Sequence, residues 1–229
     1  MADKTIKKIL IFACPRTGTT IIQKMIAKDL FGIPNLIEPF NDPALGFNPA
    51  NPKIINGKPA DLYKWTEEQI TGVMKLLAIN LYYVDIGKLL SVGNFDHIVI
   101  IERRSLVNCC VSLCLAEQTL RYHYYEGDPL AIDQFYCDPK FVESWIHMYK
   151  QYLIAKDQIK NNNVRYDTIY YEDFTNDQAQ YIANTPLQQS KMSPDLFMNH
   201  TKMVSLNLPY HDLCTNYYEV EEKIRKELC

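Results

Sequence analysis

The sequence predicts an α/β fold, a three-layer α/β/α arrangement around a mostly parallel central sheet, with residues 1–229 forming one domain. Three observations predict it. Ile6 to Ala13 is an apolar run with β-branched residues, as expected of a strand buried on both faces, and 95–101 and 164–171 read as further strands. After the first two runs, apolar residues recur at helical spacing, so strands and helices alternate. The chain of 229 residues is 47% hydrophobic and 22% charged, with only 8 Gly and 12 Pro, which suits a large core and excludes a disordered or linker-dominated protein.

The elements follow in order. Ile6 to Ala13 reads as the first core strand. Its apolar run is too short for a secretory leader, and Pro15-Arg16 stands where a small-residue cleavage site belongs. A turn over Cys14 to Thr19 leads into a helix carrying Ile21, Ile22, Met25, Ile26 and Leu30, with Gly32 placed to end it. Leu36-Ile37-Glu38 is a short strand candidate stopped by Pro39. Residues 41–60 hold Pro43, Pro49, Pro52 and Pro59, and a loop of that length tends to carry function. Thr66 with Gln69 reads as a capping box opening a helix that runs to about Leu90. Phe95 to Ile101 is the second strong strand, and Ser105 caps the helix after it. Phe141 to about Ile159 is another helix, Val164 to Tyr171 reads as a third strand, and 217–228 as a last helix.

The formal net charge of -3 argues against a general nucleic-acid binder. No apolar run reaches the length of a membrane span. The seven cysteines lack zinc-ligand spacing, and reduced thiols in a cytoplasmic protein are the expectation. No metal-ligand cluster is visible.

Two strand–helix junctions carry chemistry. The first, Cys14-Pro-Arg-Thr-Gly-Thr-Thr20, joins a strand to a helix through a turn bearing a cation and hydroxyls. Helix N-termini bind anions through unpaired amides and the macrodipole. Arg16 adds a forked cation, and Thr17, Thr19 and Thr20 add hydroxyls. The nucleotide-kinase pattern can be laid on 13–20, but Ala13 replaces its first Gly and Thr19 its Lys, which equips the loop poorly for triphosphate chemistry. At the second junction a strand ends in Arg103 and Arg104, and a helix starts at once. At 100° per residue, Ser105, Asn108 and Ser112 form a polar stripe opposite Leu106, Val107, Cys110, Val111 and Cys114. The polar stripe is expected to line a site, with a phosphate between Arg104 and Ser112. Glu38, before Pro39, is expected at the same strand-end crevice.

The first junction resembles the 5′-phosphosulfate loop of sulfotransferases, Pro-[Lys/Arg]-[Ser/Thr]-Gly-[Ser/Thr]-[Ser/Thr]. The second resembles the family's 3′-phosphate segment, an Arg at a strand end with a Ser eight residues on, here Arg104 and Ser112. Tyr170-Tyr171-Glu172-Asp173-Phe174 is similar to a third family segment whose carboxylates bind backbone amides or a cation. These motifs span residues 7 to 174. The resemblance implies a P-loop NTPase-like fold. It further implies metal-independent transfer of the sulfuryl group of 3′-phosphoadenosine 5′-phosphosulfate to a small-molecule or glycan hydroxyl, or to an amine. The product would be 3′,5′-adenosine bisphosphate. It assigns Arg16, Thr17, Gly18, Thr19, Thr20, Arg104 and Ser112 to the donor, Arg16 also to catalysis, and Glu38 as general base. His123 is a rival base, and His97 reads as structural. Tyr122, Tyr124, Tyr125, Phe135 and Tyr136 are candidate acceptor walls. The family's C-terminal Arg-Lys-Gly-x-x-Gly loop is absent, and Lys202 with Ser205 is the candidate replacement. A P-loop kinase and a non-catalytic nucleotide-binding domain are the competing readings.

Overall fold

The computed structural model describes residues 6–36, 38–42, 45, 47, 52, 54–55, 58–122, 133–176 and 208–228. The first strand, β1 (Lys8–Ala13), is buried along its whole length. Its five residues from Ile9 to Ala13 have no exposed surface, because they sit between neighbours on both edges and helices on both faces. β2 (Ile54–Ile55) and β3 (Lys58–Pro59) form a separate short antiparallel ladder. β4 (Gly72–Leu77), β5 (His97–Glu102) and β6 (Tyr166–Tyr170) complete the main sheet, in the order β4-β1-β5-β6. Every pairing in it is parallel.

Side chains alternate across the sheet. Ile9, Ile11 and Ala13 of β1 join Val73, Val99 and Ile101 under Ile22, Met25 and Ile26, which belong to α1 (Thr19–Lys24) and its π-helical extension Met25–Leu30. Leu10 and Phe12 face the other way, with Met74, Leu76, Ile98 and Ile100. Among the described residues, that face is covered by α3 (Ile86–Gly93), α4 (Leu106–Thr119), α5 (Pro139–Lys160) and, after the short α6 (Tyr171–Asn176) and α7 (Tyr210–Leu213), α8 (Tyr217–Leu228). The Phe12 ring stacks on Tyr152 at 4.9 Å between centroids, a contact of the offset-stacked kind aromatic pairs prefer. The three-layer arrangement is therefore the expected one, with an all-parallel sheet.

Residues 66–90 depart from expectation. The helix there is short, α2 (Leu62–Glu68), and Asp61 caps it by accepting from the amides of Tyr63 and Lys64. Thr66 does not cap; its hydroxyl donates to the Leu62 carbonyl at 2.7 Å, and Gln69 ends the helix in an extended conformation. β4, a 3₁₀ turn over Ala78–Tyr82 and α3 occupy the rest. Gly-Val-Met-Lys-Leu-Leu is too short for periodicity to separate strand from helix, and Lys75 interrupts its apolar run. The expected strand at Leu36–Glu38 is reduced to one bridge, Asn35 to Val73, beside β4. Other expectations hold more closely: Gly32 follows the π-helical turn at φ +60°, and Ser105 accepts from the Asn108 amide at 3.3 Å. The described cysteines are free and buried. Among the described residues no helix is long and apolar enough to cross a membrane.

Candidate functional site

The C-terminal ends of β1, β4 and β5 open into one cavity of about 620 Å³. The loop after β1 forms its floor. Arg16 and Gly18 both have positive φ, at 67° and 72°. Gly18 is required twice over, since a Cβ there would also lie 2.6 Å from Cδ2 of Tyr171. Thr17 is buried and turns inward, donating its hydroxyl to the Cys14 carbonyl at 2.8 Å. The Cys109 thiol donates to the Pro15 carbonyl at 3.1 Å, and burial pushes its pKa up to about 11, so it remains a donor. The Ile22 amide pairs with the Gly18 carbonyl. By helix geometry the amides of Thr19, Thr20 and Ile21 have no carbonyl of their own helix to bind. Gly18, Thr19, Thr20 and Ile21 all line the cavity.

Arg16 reaches across this floor to α4. Its Nε donates to the Ser112 hydroxyl at 3.1 Å, and another guanidinium nitrogen donates to the Tyr122 carbonyl. The two junctions are thus in direct contact through two residues singled out in the sequence. Of the polar stripe on α4, Ser112 alone lines the cavity. Ser105 is spent as a cap, and Asn108 accepts from the Tyr217 hydroxyl at 2.8 Å.

The two arginines after β5 diverge. Arg103 lines the cavity. It donates to the Arg16 carbonyl at 3.3 Å and packs over the rings of Tyr171 and Tyr210, 5.0 and 5.8 Å from their centroids. Its Nε is buried without a hydrogen-bond partner among the described residues. Arg104 is not among the lining residues. Its guanidinium forms a two-pronged pair with Asp173, 2.7 Å at one prong, and lies over Tyr170. That pairing holds the Asp173 carboxyl below, and the Arg104 guanidinium above, their ordinary pKa values. Glu172 accepts from the Arg104 amide at 3.0 Å and from the Ser105 amide at 3.4 Å. Glu172 and Asp173 therefore make amide and cation contacts of the type the third segment implies, and one of those cations is Arg104.

Glu38 lines the cavity at the edge next to β4. Its carboxylate accepts from Asn41 Nδ2 at 2.9 Å and pairs with Lys75 Nζ at 2.5 Å. Asn80 braces the turn behind it, donating to Asn41 Oδ1 at 2.6 Å and to the Tyr83 hydroxyl at 2.8 Å. Tyr83 in turn donates to the Phe40 carbonyl at 2.8 Å. Lys75 also donates to the Thr20 hydroxyl at 3.1 Å. Burial lowers its pKa, and the charge of Glu38 opposes that shift. Sequence reasoning missed Lys75 because its strand reads as helix.

The remaining candidates separate. His97 begins β5 and pairs with Asp167 at 2.7 Å, at the end of the sheet away from the cavity. Tyr122 lines the cavity, whereas Phe135 is core and Tyr136 is exposed. His123, Tyr124, Tyr125, Lys202 and Ser205 lie outside the described residues.

No family model matches the chain, and no curated protein matches it. Among solved structures, the chain is similar to the sulfotransferase domain from the Synechococcus PCC 7002 olefin synthase. The identity is 13% and the TM-score 0.44, over 100% of this chain and 98% of that one.

Proposed function

We propose that this protein is a sulfotransferase that moves the sulfuryl group of 3′-phosphoadenosine 5′-phosphosulfate to a hydroxyl or amine acceptor. The observation that carries the reading is the meeting of the two junctions, Arg16 Nε on the Ser112 hydroxyl, in a cavity that also holds Glu38. The donor set suits a doubly anionic nucleotide. Arg16 and Arg103 supply cations, and Thr19, Thr20 and Ser112 supply hydroxyls.

When bound, the donor supplies a sulfuryl group activated by a phosphate leaving group. The chain positions and stabilises charge, as in phosphoryl transfer. Arg16 and the amides of Thr19, Thr20 and Ile21 hold the 5′ side, where negative charge grows as the sulfur–oxygen bond breaks. One such donor in a dry site lowers the barrier by about 3 kcal/mol. Thr17 shapes the loop through its bond to Cys14, and Gly18 gives the loop its left-handed step. Ser112 holds the 3′-phosphate, together with the cations at the end of β5. Arg104 has the family spacing, and Arg103 has the orientation into the cavity. Glu38 Oε1 or Oε2 takes the acceptor proton.

The test is mass-spectrometric screening of hydroxyl and amine acceptor libraries with isotopically labelled donor. Thermal shift is run beside it, with 3′,5′-adenosine bisphosphate and separately with ATP–magnesium. Labelled product and stabilisation by the bisphosphate are expected. Stabilisation by ATP–magnesium alone would favour the kinase reading instead.

A further inference from the structure

Lys75 is a charged residue in the middle of a buried parallel strand. Its side chain is 1% exposed, and its neighbours along the strand, Met74 and Leu76, are fully buried core residues. An apolar side chain would sit there without the desolvation that an ammonium suffers. The two partners of Lys75 Nζ are both cavity residues: Glu38 Oε1 at 2.5 Å and the Thr20 hydroxyl at 3.1 Å. One ammonium thus ties together β4, the first turn of α1 and the turn at Pro39.

Glu38 needs such a tie. Among the described residues, the segment before it is joined to β4 by a single bridge, Asn35 to Val73, made by the Val73 amide on the Pro34 carbonyl and the Leu36 amide on the Val73 carbonyl. That is too little pairing to fix a carboxylate two residues further on. Asn41 and Lys75 supply the missing restraint, one on each oxygen of Glu38.

We propose that Lys75 is the positioning residue for Glu38, its ammonium holding the carboxylate beside the phosphate loop while the Thr20 hydroxyl holds the ammonium. An adjacent ammonium favours the charged form of a carboxylate. Lys75 also ties the base to the loop that would grip the donor, so that base and loop keep one geometry. Other charged or titratable groups face the pair. Lys24 of α1 repels the Lys75 ammonium, Tyr83 feels the Glu38 charge, and Arg16 lines the same cavity.

This inference rests on Glu38 being the base, so its test has a readout independent of turnover. In full-length protein carrying ¹³C-labelled Glu carboxyls, the Glu38 resonance is assigned with Glu38→Gln and titrated in wild type, Lys75→Met and Lys75→Arg. The pH profile of kcat/KM is measured on the same proteins. In Lys75→Met the Glu38 midpoint is expected about one pH unit or more higher. The acid limb of kcat/KM should move by the same amount, and Lys75→Arg should restore most of both. Should Lys75→Met fail to fold, Lys75→Gln keeps a donor for Thr20 without the charge and gives the same readout. An unmoved Glu38 midpoint in a folded Lys75 variant overturns the proposal. A moved midpoint with an unmoved acid limb also overturns it, leaving a structural ion pair. A moved midpoint in a chain without transfer activity counts for the Lys75–Glu38 anchor and against the transfer reading itself.

Discussion

Arg16 and Glu38 are placed by different means. Arg16 sits on a tightly wound loop whose backbone is held by Thr17 and Cys109. Glu38 sits on an irregular segment and is held by side chains. Their substitutions should differ accordingly. Glu38→Gln keeps the shape and the Asn41 contact but cannot accept a proton. It should leave 3′,5′-adenosine bisphosphate affinity unchanged in titration calorimetry and lower kcat by about 10²- to 10⁴-fold. At the end of β5, Arg103→Ala and Arg104→Ala should both weaken bisphosphate binding. Arg103→Ala should have the larger effect, because its guanidinium faces the cavity while that of Arg104 is engaged by Asp173. The reverse order would show that spacing with Ser112, rather than resting orientation, governs the 3′ site. Gly18→Ala places a side chain against Tyr171 at a left-handed φ. It should destabilise the fold by about 1–2 kcal/mol from backbone strain alone, with a further loss from the Tyr171 clash, as read by urea denaturation.

At the scale of elements, β1, β5, β6, α4 and α5 were legible because each agrees with its own local signal. β1 and β5 are largely apolar, Ser105 caps α4, and α5 carries the helical stretch read from Phe141 to Ile159. β4 was not legible. A lysine in a buried strand breaks the hydrophobic pattern that marks such strands, and the reason for the lysine lies in Glu38 and Thr20, distant in sequence. The two arginines after β5 show the same limit: spacing favours Arg104, but contacts with Asp173 and Tyr170 hold its guanidinium. A second buried lysine, Lys8 at the start of β1, donates to the Thr66 carbonyl and lies 5.4 Å from the Phe95 ring centroid. Burial lowers its pKa from 10.5. Between that lowered value and 10.5 the unfolded chain binds more protons than the folded one, so stability from this group rises with pH. Wild type should therefore gain stability relative to Lys8→Met as pH increases from neutral towards 10.5, measured by denaturant unfolding at each pH.

At the scale of the molecule, the parallel sheet brings together at one edge residues that lie far apart in the chain. Parallel strands all end on the same side, so the loops after β1 and β5 and the turn after β4 share one crevice. Arg16, Gly18, Thr19, Thr20, Ser112 and Glu38 were legible in the sequence as residues of that crevice. Lys75 and the orientation of Arg103 were not, since both depend on tertiary contacts. The central claim is that this crevice holds one nucleotide by both its phosphates, and a crystal structure with 3′,5′-adenosine bisphosphate tests it most directly. The 5′-phosphate is expected on the amides of Thr19 to Ile21 and on Arg16, and the 3′-phosphate on Ser112 with Arg103 or Arg104. A bisphosphate bound elsewhere, or with one phosphate in this crevice and the other out in solvent, would contradict it.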